Sequence, residues 1–432
     1  MIKIIGILLT LIATDFYLFP FVPSVLSVGI NVKMILAGLA LPCIAFHLAS
    51  QRKAFVSKDL LIICLFTIPI SLLSLLSNVY NNTSDFSFNF YFVSVFVWMA
   101  AGFTVTSMIK FVHKKLSVQL LADYLIGVCC LQCILALSME YIPSLKVFID
   151  GMMSGTDAFM GDAGDRMHGL GCALDVAGGR FAAILTIIAV LLTKAQSKIR
   201  IWLYIISFLI ILVIGNMIGR TATVGGVLSI LYWIYDGLKG NRSGNGFYKY
   251  LLIGFCVILP IIVILYSTNP VFYERLRFGF EGFFSFVETG RWETNSNDIL
   301  LNHMLVFPDN MKTWLIGDGY GANPTENDPY YIGKEYHGFY MGTDIGYLRF
   351  IFFFGIFGMF SMISLFICFW RTCYNRFGNR LKGIFTMLLI LNLIIWFKAT
   401  SDLLPIFAIL LCISGTDQNE YESRMLTDSQ IS

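Results

Sequence analysis

The sequence is poor in charge. Asp, Glu, Lys and Arg make up 13% of its 432 residues, about half the share of a soluble domain. Histidine is scarcer, with five residues, and none stands at metal-ligand spacing with cysteine. The ten cysteines lie mostly inside apolar runs (Cys43, Cys64, Cys129, Cys130, Cys133, Cys256, Cys368, Cys412), with only Cys172 and Cys373 in connecting segments. That excludes a disulfide framework and leaves small hydrophobes packed between helices. No basic cluster is interleaved with aromatics in a polar segment, so nucleic-acid binding is excluded. No internal repeat is visible, and no glycine loop of the kind that cradles phosphates.

What the chain has is apolar length. It is 57% hydrophobic, with a mean hydropathy of +0.75. Repeated runs of about 20 apolar residues mark membrane-spanning helices. The expected fold is an all-α polytopic membrane protein, a bundle of about twelve transmembrane helices with one long outer loop containing short helices. The expected spans lie near 2–21, 33–49, 60–77, 90–109, 119–141, 176–193, 201–218, 221–237, 250–267, 344–370, 382–397 and 400–414. The first run resembles a signal peptide, but Phe19-Pro-Phe-Val-Pro replaces a small-residue cleavage site, so it reads as a span. Pro42, Pro69 and Pro260 fall within spans as expected kinks.

Basic residues fix the orientation. Arg52, Lys53 and Lys58; Lys110, Lys114 and Lys115; Lys194, Lys198 and Arg200; Lys239, Arg242 and Lys249; and Arg371, Arg376, Arg380 and Lys382 occupy alternate connections. These connections are cytoplasmic in this reading, as are both termini. The chain divides into nine spans (1–267), a large outer loop (268–343), the last spans (344–414) and a hydrophilic tail (415–432) expected to be disordered.

The outer loop is where chemistry is expected. Glu293 to Phe307 reads as a short amphipathic helix, and Trp314 to Gly321 as an extended piece entering a glycine turn. The loop holds ten carboxylates, and against them the outward arginines stand out: Arg166, Arg180, Arg220, Arg291 and Arg349. Arginine at a membrane boundary is costly unless paired or solvated, and its planar fork suits phosphate oxygens. Pairing with the local carboxylates is the alternative, as read for Arg275, Arg277, Lys312 and Lys334. Asp344 and His337 are the candidate proton acceptors; Asp344 would equally serve as a helix N-cap. His168 joins Arg166 as a candidate binding residue. Trp292, Trp314, Tyr320, Tyr330, Tyr331 and Tyr336 offer flat stacking faces or interfacial anchors.

Several motifs occur together: Gly219-Arg220 after an apolar helix, Gly290-Arg-Trp292 in the loop, Ile316-Gly-Asp-Gly-Tyr-Gly321, and Asp344-Ile-Gly-Tyr-Leu-Arg349 before Gly355-Ile-Phe-Gly358. With the layout of spans, they make the chain resemble the O-antigen polymerase (Wzy-type) and O-antigen ligase superfamily. Ligases of that superfamily carry a histidine eleven residues before the first glycine of Gly-x-x-Gly; here Asp344 stands at that place and His337 seven residues earlier, which favours a polymerase. The resemblance implies a metal-independent inner-membrane glycosyltransferase, without cofactor, that polymerises undecaprenyl-pyrophosphate-linked oligosaccharide repeats. Arg220 and Arg291 match the superfamily's pyrophosphate-binding arginines, Arg180 matches less well, and Asp344 or His337 would be the base. A chain-length-determining co-polymerase is the implied partner. The alternatives are a ligase, which differs in acceptor, and a flippase, which would be expected to have short outer loops.

Overall fold

The computed structural model describes residues 2–26, 29–51, 57–154, 166–239, 246–328, 331–334, 336, 338–377 and 381–419. Helices form nearly all of it, with three isolated bridges and no named strand among the described residues. In chain order they are α1 Ile2–Leu18, α2 Val32–Gln51, α3 Lys58–Asn81, α4 Tyr91–His113, α5 Val118–Tyr141, α6 Pro143–Gly151, α7 Leu174–Lys194, α8 Lys198–Ile218, α9 Ala222–Leu238 and α10 Phe247–Thr268. The polar insert carries α11 Pro270–Gly279, α12 Glu281–Thr289, α13 Asn295–Ile299, α14 Met311–Leu315 and α15 Pro324–Asn327. The chain closes with α16 Gly346–Arg376, α17 Lys382–Ile395 and α18 Leu404–Leu411.

Seven helices (α3, α4, α5, α7, α8, α10 and α16) are long and apolar enough to cross a membrane. Three shorter apolar segments accompany them: Val32–Ala45, α9 and α17. The span expected at 400–414 forms only the eight-residue α18, every residue of which is buried. At 1.5 Å per residue α18 measures about 12 Å, less than half the thickness of a bilayer core. The chain still runs the length of the bundle here, from Thr400 beside Arg349 at the insert end to Leu411, whose carbonyl accepts from Arg376 at the other end of α16.

Burial sorts the helices. In the most apolar stretch of α7, 94% of residues are buried, against 6% in α10. A helix apolar on every side and buried on every side belongs at the centre, and α7 holds that place. Close crossing is built into it: a Cβ on Gly225 of α9 would stand 2.3 Å from the Ala182 backbone. Sequence also sets the helix ends. Asn269 stops α10 and starts α11, accepting from the Phe272 amide at 2.9 Å with Pro270 behind it. Ser57 and Ser117 cap α3 and α5 in the same way. Pro42, Pro69 and Pro260 lie inside continuous helices.

α16 is not one helix. Phe354 leaves helical geometry and Gly355 has φ 73°, ψ −178°, a conformation open essentially to glycine alone. A Cβ there would meet the Leu315 carbonyl oxygen at 2.2 Å. The break frees backbone carbonyls in an apolar setting, where each needs a partner. The insert supplies them: the Asp318 amide donates to the Phe352 carbonyl at 2.6 Å and the Gly319 amide to that of Phe353 at 3.0 Å. Ser77 of α3 also donates to Phe353, at 2.7 Å.

The glycine turn is clamped from its other side by the α3–α4 connection. Asn81 donates to the Gly317 carbonyl at 3.1 Å, Thr83 to that of Gly319 at 3.1 Å, and the Gly321 amide to Asp85 at 2.8 Å. Ile316 to Gly321 is therefore a tether between the insert and the bundle. The piece before it, expected extended, is the short helix α14, capped by Asn310. The amphipathic helix expected at 293–307 is confined to α13 and a π-helical turn, Leu300–Met304. Leu300 and Met304 pack on Ile345, Leu348 and Phe352.

The beginning of the expected disordered tail is ordered. Gln418 is buried and accepts from the Val118 amide at 2.9 Å, while Asp417 pairs with Lys110 at 2.9 Å. Residues 420–432 lie outside the described residues.

Candidate functional site

Four connections meet at the end of the bundle that carries the insert. The α8–α9 turn brings Arg220, the start of α12 brings Glu281, the approach to α16 brings Asp344, and the α17–α18 connection brings Lys398. Arg166 joins from the segment leading into α7, and Asp175 from the first turn of α7. Gly219 and Gly178 make this approach possible: a Cβ on Gly178 would stand 3.0 Å from the Gly219 carbonyl oxygen, so the Arg220 turn sits directly on the start of α7.

The cluster is linked by contact and by field. Arg220 pairs with Glu281 through one guanidinium nitrogen, and the other Glu281 oxygen accepts from the Asn295 amide at 3.1 Å. Arg220 and Arg166 share the Phe278 ring, at 4.5 and 5.2 Å from its centroid, an arrangement that favours cations over an aromatic face. Thr221 donates to Asp175 at 3.1 Å. Lys398 interacts electrostatically with Asp175, Arg220, Asp344 and Arg166. Asp344 stands 3.6 Å from Arg349. Four cations thus face three carboxylates in a half-buried space. Burial lowers the Arg220 pKa, opposed by the Glu281 charge and aided by repulsion from Arg166.

Asp344 is not an N-cap. Ile345 occupies the cap position without a side-chain bond, and Thr343 accepts from its amide at 3.3 Å. The Asp344 carboxyl faces the cluster instead. Burial pushes it up to about 7, reinforced by the Asp175 charge and opposed by Arg349 and Lys398. A carboxyl in that range exchanges its proton near neutrality.

Arg349 has a structural occupation. It donates to Thr400, to the Gly321 carbonyl at 3.0 Å, and lies 3.6 Å over the Phe339 ring. It joins the tether, the α17–α18 connection and Asp344. Arg180 belongs to a second polar group deeper in the bundle, with Lys33, Tyr17 and Asp402, and its guanidinium lies 5.6 Å from the Phe19 centroid. His168 is buried; one ring nitrogen meets Asp150 at 2.8 Å and the other the Arg166 carbonyl at 3.3 Å, so it latches the segment before α7 to α6.

Arg291 is not brought to the cluster. Gly290, at φ 74°, turns the chain at the far end of α12, and Arg291 is 81% exposed with Glu293 at 3.9 Å. Trp292 folds back over Gly282, where a Cβ would stand 2.5 Å from the indole, and remains half exposed. Tyr320 donates to Asp328 at 3.2 Å and packs 5.4 Å from both Tyr331 and Tyr340. Asp318 anchors beneath these rings, held by Lys312 at 2.6 Å and Thr313 at 2.7 Å. Arg277 grips Glu288 with two bonds, and Arg275 reaches Glu140 on α5. His337 and Tyr330 lie outside the described residues.

Sequence reasoning overlooked Asp175 and Lys398 as members of the cluster. Their signal was available: each is a charge at the margin of an apolar run, and intramembrane or boundary charges mark functional sites by default. No family model matches this chain, and no curated protein matches it.

Proposed function

We propose that the chain is a bacterial inner-membrane polymerase of undecaprenyl-pyrophosphate-linked oligosaccharide repeats, with twelve membrane passages, cytoplasmic termini and a periplasmic insert. The observation that carries this reading is the Asp344 carboxyl, poised near neutrality beside Arg349 and Lys398, with Lys398 linking it to Arg220 and Arg166 at the insert end of an apolar bundle. A lipid-linked sugar pyrophosphate presents a doubly anionic leaving group at a membrane surface, and that is the substrate such a cluster fits.

In this reading a hydroxyl of the acceptor repeat attacks the anomeric carbon of the donor chain. The new C–O bond forms as the bond from that carbon to the pyrophosphate oxygen breaks, and the electron pair leaves with the lipid pyrophosphate. Asp344 takes the hydroxyl proton. Arg220, Arg166 and Lys398 stabilise the charge that develops on the leaving group. Arg220 spends one nitrogen on Glu281 and keeps further donors for phosphate. Arg349 orients Asp344, and Arg291 and Trp292 stand at the rim. A chain-length-determining co-polymerase is the partner this activity calls for.

The test is the banding pattern of surface polysaccharide in a strain lacking the protein. Single repeats capped onto the lipid core, with the ladder lost, support the reading. Loss of all capping with long chains left on the lipid carrier makes the protein a ligase, and absence of repeats at the outer face makes it a flippase.

A further inference from the structure

At the opposite end of the bundle lies a cleft between α1, α2 and α4. It encloses about 980 Å³ and is walled by Lys3 to Thr10 of α1, Cys43 of α2 and the stretch from Phe103 to Lys114. This is the upper end of the range for small-molecule sites, roughly 300–1,000 Å³. α1 fixes the cleft's position: Lys3 is at its start, whereas Tyr17, at its other end, belongs with Arg180 and Lys33. The cleft is therefore separate from the Asp344 cluster.

Its polarity is one-sided. The two threonines in the wall are already bonded, Thr10 to the Gly6 carbonyl at 2.7 Å and Thr104 to the Leu36 carbonyl at 2.9 Å. Apart from Ser107, the depth of the cleft thus has little to offer a polar ligand. Its mouth carries two exposed ammonium groups, Lys3 and Lys114. Lys114 ends α4 in the left-handed conformation, φ 56°, which lays its chain along the Phe111 ring at 4.5 Å. Among the described residues no carboxylate pairs with either lysine; the neighbouring Lys110 differs, being paired with Asp417. From Phe103 to Lys114 the helix rises about 16 Å, close to one leaflet of a hydrocarbon core about 30 Å thick.

We propose that this cleft binds one anionic phospholipid, its acyl chain along α4 and its phosphate between Lys3 and Lys114. Depth, apolar walls and paired cations at one end match an acyl chain with an anionic head. A basic pocket between membrane helices recognises such headgroups in general. The proposal depends on the chain being membrane-embedded and not on the transferase reading.

The test uses the full chain purified in detergent and native mass spectrometry with phosphatidylglycerol or phosphatidylcholine of identical acyl chains. Phosphatidylglycerol is expected to be retained selectively. Retention should fall on the order of fivefold for each lysine removed, in Lys3→Gln, Lys114→Gln and the double variant. Glycerol phosphate, which has the charge without the tail, is expected not to compete. Because both lysines are exposed, the double variant should keep the lipid-free melting temperature of the parent and lose only the increase that phosphatidylglycerol confers. Equal retention of the two lipids, competition by glycerol phosphate, or undiminished phosphatidylglycerol retention by the double variant overturns the proposal.

Discussion

Asp344→Asn separates the chemistry of the site from its stability. The Asp344 carboxyl is held at about 7 instead of its ordinary 3.8, and its side chain is 20% exposed. The displacement corresponds to an ionisation penalty of roughly 4 kcal/mol, at 1.36 kcal/mol per pKa unit. The sign is fixed by linkage: a carboxyl whose folded pKa is raised carries no penalty below its unfolded pKa. The penalty then grows as pH rises from about 4 to about 7 and is complete above that. Asn cannot ionise, so the variant should melt at a higher temperature than the parent at pH 8, with the difference vanishing near pH 4.

Transfer should move the other way. If Asp344 accepts the hydroxyl proton, the parent is about one-tenth active at pH 6, half active at pH 7 and near its plateau at pH 8, while Asp344→Asn loses on the order of 10²- to 10⁴-fold. Neighbouring charges shift the acid limb in opposite senses: Asp175→Asn removes a like charge and lowers it, and Lys398→Met removes an opposite charge and raises it. The assay is turnover of a lipid-linked repeat in proteoliposomes between pH 5.5 and 8.5, paired with thermal unfolding of each variant. A flat profile, or limbs that move the same way in the two neighbour variants, refutes the assignment.

Arg220→Ala should reduce transfer by 10²-fold or more and leave Glu281 with the Asn295 amide but no cation; Arg220→Lys, which keeps the charge without the planar fork, should recover only part of the loss, read as turnover. Arg291→Ala should keep turnover within a few-fold of the parent, because Arg291 is exposed away from the cluster. Gly355→Ala should destabilise the fold by about 1–3 kcal/mol from backbone strain alone, with more from the clash against Leu315, measured as a lower melting temperature and easier proteolysis within the insert.

The long helices were legible because a bilayer imposes them: an apolar run of about 20 residues has few other places to go. Arg220 and Asp344 were legible because a charge beside such a run is conspicuous. Other features were hidden because lipid and protein interior select the same residues. The sequence of α18 reads as a full-length helical span, yet only eight residues are helical and all of them are buried. Phe350 to Phe360 reads as one apolar face, and only the backbone at Gly355 shows that the helix breaks there. The grouping of Arg166, Asp175 and Lys398 depends on the α8–α9 turn resting on α7, a tertiary contact with no local signature. Arg291 stands apart although its motif is intact, because the chain turns at Gly290 and leaves it exposed. Gln418 was hidden by its hydrophilic surroundings, since nothing local distinguishes a docked amide from a solvated one.

The break at Gly355 also explains why the insert and the site occupy the same end. Carbonyls released by a broken helix must be satisfied, and apolar side chains cannot do so. The amides of Asp318 and Gly319 and the Ser77 hydroxyl do it here, so the insert is bonded to the bundle at the point where α16 opens. Arg349 lies on the short helical piece before the break and binds Gly321 of the tether, Thr400 of the α17–α18 connection and Asp344 at once. A shift of the tether therefore moves Arg349, and with it the cation that most lowers the Asp344 pKa. Because Lys398 lies two residues from Thr400, the same shift alters the second. The protonation of Asp344 is in this way coupled to the seating of the insert, through contacts that a single glycine makes geometrically possible.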